Sequence, residues 1–411
     1  MMNRQRILPL IAAIVMLMGS GGAARAQFTV LHSFSGADGA DPYYGAPVID
    51  GNTIYGTADH GGSKGNGVVF ALNRDGTGYH TLYDFAGYPA SGANPNSSVI
   101  LRGNSLYGMT FYGGSGGQGT VYALHTDGTG YTNLVSFAGT TTSGAKPFGW
   151  LTAGGDTLYG MTYRGGGNDI GTIFSVGVNG TGFSNLYSFA GAPASGSKPI
   201  NGTLTLAGGV LYGLTAHGGS GGDNGVLFRI NPDGTGYTTL YSFTGGAESG
   251  AVPYGSLTLA GTAFYGLTTS GGNTGLGTVF RISLDGTGYT NLYSFAGGAT
   301  SGAAPNGSLT LVGDTLYGTT RNGGTNDLGV LFAVNLDGTS YTNLVTFAGI
   351  LNGANPVGDL AISDGTLYGW TSAGGSANKG TVFAYQVPEP STVVLVAMGL
   401  GGLIFARRRK M

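Results

Sequence analysis

Between residues 28 and 386 the chain is a succession of short apolar runs separated by glycine, asparagine and aspartate turns, and the runs repeat. FTVLHSF at 28 returns as YHTLYDF at 79, YTNLVSF at 131, FSNLYSF at 183, YTTLYSF at 237, YTNLYSF at 289 and YTNLVTF at 341. The tyrosine of each (L/I/F)-Y-G triplet gives the period. Tyr55, Tyr107, Tyr159, Tyr212, Tyr265, Tyr317 and Tyr368 are spaced by 52, 52, 53, 53, 52 and 51 residues. Regularity of this kind marks a repeat architecture. Each unit holds four strand candidates, which in residues 253–295 read PYGSLTLAG, AFYGLTT, GTVFRIS and YTNLYSF. The links are short enough for antiparallel neighbours. The third and fourth strands are joined by LDGTG, whose Asp-Gly suits a hairpin needing positive φ. The longest link, AGGATSGAAP, ends in proline at the start of the next unit. Helical periodicity is confined to the two ends of the chain.

The strands are apolar on both faces. Val279 is expected to point one way and Phe280 with Ile282 the other, and Leu292 to oppose Tyr293 and Phe295. A strand with one wet face would alternate cleanly, whereas a sheet packed between two others need not. The reading is therefore all-β: a seven-bladed β-propeller of four-stranded antiparallel blades. A parallel β-helix has shorter rungs and no need of hairpins. The fourth strand also occurs at residue 28 with no partners before it, while the last unit ends at GTVFAYQ with no fourth strand after it. In a closed ring the N-terminal strand completes the last blade and removes the exposed sheet edges.

Composition sharpens this picture. Of 411 residues 84 are glycine, hydrophobic residues make up 41%, and only 9% are charged. The glycines follow no three-residue period, which excludes collagen, and the apolar content is too high for disorder. Cysteine is absent, so there is neither a disulfide nor a thiolate metal site. Setting aside seven basic residues and one acidic residue at the ends leaves ten basic against eighteen acidic, a body charge near −8. No basic stripe is present, so no nucleic-acid partner is expected. A monomer is expected.

The ends read as addresses. Residues 1–26 pair Arg4 and Arg6 with an apolar run, Ile7 to Met18, and a small-x-small cleavage site at Ala24 and Ala26: a signal peptide. Residues 387–411 contain Pro388-Glu389-Pro390, a short apolar helix and the cluster Arg407, Arg408, Arg409 and Lys410. Counted from Ser391, that helix could just span a bilayer, with the basic residues cytoplasmic. This three-part order resembles the PEP-CTERM sorting signal of Gram-negative bacteria. The resemblance implies an exosortase-type processing enzyme as partner, a transient anchor in the inner membrane, and an association with exopolysaccharide. The body, residues 27–386, resembles the GloVer-type tandem repeats of bacterial surface proteins through GTVFRISLDGTGYTNLYSF preceded by LYGLT. That resemblance implies an exported repeat domain and names no catalytic residue. Asn179, Ser340 and Phe183 are small departures from it.

Candidate chemistry is sparse. The histidines His32, His60, His80, His125 and His217 form no H-x-x-x-H or H-E-x-x-H, so no metal is expected. GGSGG at 113–117 and 218–222 matches G-x-S-x-G only formally, because no helix follows it. The turn aspartates Asp75, Asp127, Asp233, Asp285 and Asp337 supply one carboxylate per loop, too few for calcium, and suit turn formation. No catalytic residue and no cofactor is assigned.

The repeats allow an internal comparison. Between Y-G-x-x and the following G-G two positions vary: Asp59-His60, Phe111-Tyr112, Tyr163-Arg164, Ala216-His217, Thr269-Ser270, Arg321-Asn322 and Ser372-Ala373. Symmetry places these pairs at one level on one face. Aromatic, charged and amide groups there suit sugar stacking and hydrogen bonding. The candidate ligand-binding residues are Asp59, His60, Tyr112, Tyr163, Arg164, His217, Arg321 and Asn322. A second variable set, Asp41, Asn94, Lys146 and Lys198, falls in the longest links. The expected function is an exported surface or matrix module that binds or organises exopolysaccharide. The alternative is a polysaccharide-acting hydrolase or lyase on the same scaffold.

Overall fold

The computed structural model describes residues 27–200 and 202–388. It is an all-β, seven-bladed propeller without helix among those residues. The expected signal segment with Ala24 and Ala26, and Glu389, Pro390, the apolar helix and Arg407, Arg408 and Arg409, lie outside them. No helix among the described residues is long and apolar enough to cross a membrane. Pro388 is described, and is exposed just beyond the last strand.

Each blade runs outward through four antiparallel strands. In the fifth these are Gly250–Ala260, Ala263–Gly271, Thr278–Ser283 and Thr290–Ser294. In the last blade the outermost strand is Phe28–Ser33, paired with Thr381–Gln386 in the register Phe28↔Tyr385, Val30↔Phe383 and Ser33↔Thr381. The Gln386 N–H donates to Gln27 O at 2.9 Å, so the two ends of the ring lie side by side. Closure through backbone pairing satisfies donors and acceptors that would otherwise sit at two open edges.

The core is divided into layers between neighbouring blades. Val279 packs with Leu316, Val330 and Phe332 of the sixth blade, while Phe280 and Ile282 pack with Leu214 and Leu227 of the fourth. This is the two-sided burial expected of a blade, and it explains strands that do not alternate. Leu292 departs from expectation: it shares one cluster with Tyr293 and Phe295 instead of opposing them. The cause is a bulge. The register passes from Val279↔Tyr293 to Phe280↔Asn291, skipping Leu292. The same irregularity recurs where Leu227 gives way to Phe228 and Leu331 to Phe332. An extra residue in the outer strand bends it and re-aims its side chains.

The innermost strand carries a second irregularity, and it shapes the site. In the fifth blade the register jumps from Tyr254↔Leu267 to Thr258↔Tyr265. In the third blade the same break separates Gly144–Pro147 from Thr152–Gly154. The proline thus lies in the first segment of a broken strand, and the residues between the two segments are released from the ladder at the propeller axis. There, neighbouring inner strands are laced together. Thr205 Oγ1 donates to Leu257 O at 3.0 Å and Thr310 Oγ1 to Leu360 O at 2.7 Å. One step deeper the Thr203 N–H donates to Ser256 Oγ at 2.9 Å, Ser256 N–H to Ser308 Oγ at 2.6 Å, and Ser308 N–H to Asp359 Oδ1 at 2.5 Å.

The glycine that opens the third strand is required by this crowding. A Cβ on Gly277, at φ 101°, would lie 2.3 Å from Thr268 O and 2.7 Å from Cδ of Pro305 in the next blade.

Candidate functional site

Two sets of loops meet on one face: the links that follow the second strand, and the links that lead into the first. A threonine in the last part of the second strand holds the variable pair in place. Thr162 Oγ1 donates to Arg164 O at 2.8 Å, Thr215 Oγ1 to His217 O at 2.8 Å, and Thr320 Oγ1 to Asn322 O at 2.8 Å. The lead-in links are fixed by a residue in the left-handed region: Asp41, Asn94, Lys146, Lys198, Val252, Ala304 and Asn355, at φ between 49° and 56°. Each donates its N–H to a loop of the preceding blade, as Lys146 does to Gln118 O at 2.7 Å and Val252 to Asn224 O at 2.9 Å. A β-branched residue is disfavoured in this conformation, so Val252 shows how firmly the surrounding hydrogen bonds impose it.

The outcome is a cavity of about 250 Å³ lined by Tyr44, Phe111, Phe148, Tyr163, Ile200 and Tyr254. These residues come from five successive blades, which places the cavity on the axis. The rings form a connected set: Tyr44–Phe148 at 5.4 Å between centroids, Phe111–Phe148 at 5.4 Å and edge-on, and Phe148–Tyr163 at 6.3 Å. Tilted and edge-on contacts are the favoured aromatic geometries. Burial pushes the Tyr254 hydroxyl up from its ordinary pKa; nearby Tyr163 adds to this and Arg321 opposes it.

Tyr163 is therefore the one residue of the expected set that lines the cavity. Phe111, the first member of its pair, lines it as well. Tyr112 points elsewhere: it is exposed, with Lys146 Nζ 3.7 Å from its ring centroid. Arg164 lies 5.8 Å from the Tyr163 centroid and pairs with Asp169 at 2.9 Å. Arg321 is exposed and does not line the cavity, and Asn322 pairs through its backbone with Ala303. His217 pairs with Asp223 at 3.4 Å. His60 sits with Asp59 at 2.9 Å and Asp41 at 3.5 Å, and the Asp59 carboxylate holds its imidazole above the ordinary value.

Tyr44, Phe148, Ile200 and Tyr254 were not anticipated. All follow the proline of the lead-in link, within PYY, PFG, PIN and PYG, where the pattern suggests a buried strand. A large side chain just after that proline was the available signal.

The opposite face is uniform. In the hairpins between third and fourth strands the aspartate Oδ1 accepts from the threonine two residues on, through both N–H and Oγ1, as in Asp75–Thr77 (2.9 and 2.7 Å) and Asp285–Thr287 (2.9 and 2.7 Å). These hydrogen bonds hold the Asp75 and Asp285 carboxyls below the usual range. The turn aspartates thus build turns. Among the described residues no group of three or more histidines, cysteines or carboxylates is placed to hold a metal.

A seven-bladed propeller with an aromatic cavity at one end of its axis defines the class. Within it, the chain belongs to the Gloeobacter/Verrucomicrobia repeat family, whose pattern matches residues 20–223 and 199–403. No curated protein matches it. Among solved structures it is similar to an oligogalacturonate lyase in complex with manganese, at 13% identity and a TM-score of 0.57, covering 89% of this chain and 94% of that one. It is also similar to a puromycin-hydrolyzing peptidase of Mycobacterium tuberculosis, at 14% identity and a TM-score of 0.52, covering 84% of this chain and 52% of that one. At these identities the likeness is one of fold.

Proposed function

We propose that this chain is an exported surface or matrix module that binds carbohydrate in the axial aromatic cavity. The observation that carries the reading is the convergence of Tyr44, Phe111, Phe148, Tyr163 and Tyr254 around one open space. Sugar rings stack their C–H faces on aromatic faces, and the tyrosine hydroxyls add donors and acceptors. Export rests on the signal-like start with Ala24 and Ala26 and on the PEP-CTERM-like end, which bring in an exosortase-type partner, passage through the inner membrane and exopolysaccharide as the ligand class. Binding is favoured over turnover because the described residues lining the cavity, Tyr44, Phe111, Phe148, Tyr163, Ile200 and Tyr254, include no carboxylate and no imidazole for general acid–base work.

The test is a glycan array probed with the full-length protein and with Tyr163→Ala and Tyr254→Ala. Wild type is expected to retain a restricted set of glycans, and each variant to lose about tenfold or more in affinity while its unfolding transition is kept. Retention of no glycan by the folded wild type, or unchanged binding by both variants, would reject the reading.

A further inference from the structure

The charges around the cavity are unevenly placed, and their arrangement specifies the ligand further. Lys146 Nζ lies 4.9 Å from the Phe111 centroid and 3.7 Å from that of Tyr112. Arg321 is exposed, at the sixth-blade position equivalent to that of Tyr163 in the third. Lys198 holds the repeat position of Lys146 in the next blade, two residues before Ile200 of the cavity wall. No ion pair within 4.0 Å involves Lys146, Lys198 or Arg321 among the described residues. Arg164, against Tyr163, is partnered by Asp169. The acids of this face include Asp41 and Asp59 with His60 between them in the first blade, Asp169 against Arg164, Asp223 against His217, Glu248 in the link to the fifth blade, and Asp327, which accepts from the Gly323 N–H. Lys146 of the third blade, Lys198 of the fourth and Arg321 of the sixth thus stand without an acid at ion-pair distance, on a body whose net charge is negative.

Cations without acidic partners, one of them held against aromatic faces, are arranged to receive a ligand that brings its own anions. From this placement we infer that the cavity takes an anionic glycan, a polymer of carboxylate-bearing sugars, with sugar faces on Phe148, Tyr163 and Tyr254 and carboxylates toward Lys146, Lys198 and Arg321. The inference rests on the carbohydrate-binding reading above and narrows it. Fixed positive charge also steers an anionic polymer toward the mouth, so affinity falls with salt.

The probe pair is sodium polygalacturonate and its fully methyl-esterified form, which share a backbone and differ in charge. The full-length wild-type protein is expected to bind the acid form about tenfold more tightly than the ester at low salt, and to lose most of that margin at about 0.5 M salt. Lys146→Ala combined with Arg321→Ala should erase the margin between the two forms. Tyr254→Ala should weaken both forms, and an unshifted unfolding midpoint confirms that each variant is folded. Equal binding of the two forms by wild type, or an undiminished margin in the double variant, overturns the inference and leaves carbohydrate binding standing. Binding of neutral glycans on the array with neither polygalacturonate form bound does the same. Binding of no glycan at all overturns both readings.

Discussion

The two faces of this propeller are made by the same units and have different residue patterns. On one face the hairpins repeat a single solution, in which an aspartate or asparagine accepts from the threonine two residues on and a glycine adopts positive φ, at Asp75, Asp127, Asn179, Asp233, Asp285 and Asp337. On the other, equivalent positions hold Asp59, Phe111, Tyr163, Ala216, Thr269, Arg321 and Ser372. Turn geometry is a local demand that few residue types meet, so it returns the same answer in each unit. At the mouth the backbone is held by threonine and left-handed links whichever side chain is displayed, so the side chains there are free of that demand.

The comparison breaks most severely if the ring is opened. Removing residues 27–34 strips Phe34, which is fully buried, and leaves the edge of Thr381–Gln386 unpaired. A loss of about 5 kcal/mol or more is expected. Denaturant unfolding should show both faces failing together; survival of glycan binding in the truncated protein would show that the mouth does not depend on closure.

A second, smaller effect singles out the mouth side. Asp359 is 6% exposed and stands where the other inner strands place Ser256, Ser308 or Thr203; burial raises its carboxyl from 3.8 to about 7. With the folded value above the unfolded one, the native state holds more protons between the two. That stabilising contribution is complete below pH 3.8 and is lost as pH rises through about 7. Asp359→Asn should therefore match wild type near pH 4 and gain on it by on the order of 3 kcal/mol near pH 8. Thermal melts across that range check it, and a constant difference would show that Asp359 does not titrate in folding.

The smallest effects belong to the turns. Gly286 has φ 85°, and a Cβ there would lie 2.6 Å from Leu240 O, so Gly286→Ala should cost about 1–2 kcal/mol. Asp285→Ala should lower the melting temperature only slightly, and by the same amount as Asp127→Ala. Neither should change glycan affinity; a change at the mouth would show that the faces are coupled.

Much of this scaffold was legible before any coordinates. The period, the four strands per unit, and the pairing of FTVLHSF with GTVFAYQ follow from counting, because closure requires the first and last fragments to sum to a blade. Val279 against Phe280 and Ile282 was legible because a central strand alternates. Leu292 was misread because a bulge is a backbone event with no composition of its own. Tyr44, Phe148 and Tyr254 were missed for the same reason: a broken ladder turned positions that looked like strand interior toward the axis. Phe111 and Tyr163 were within reach because comparing units isolates positions that vary while their neighbours hold.

The seam fixes a direction. Phe28 starts opposite Tyr385 and the last strand ends at Gln386, so residues 27 and 387 emerge together on the face of the aspartate hairpins. A tether attached beyond Pro388 would hold the molecule from behind, with the aromatic opening turned away from its support.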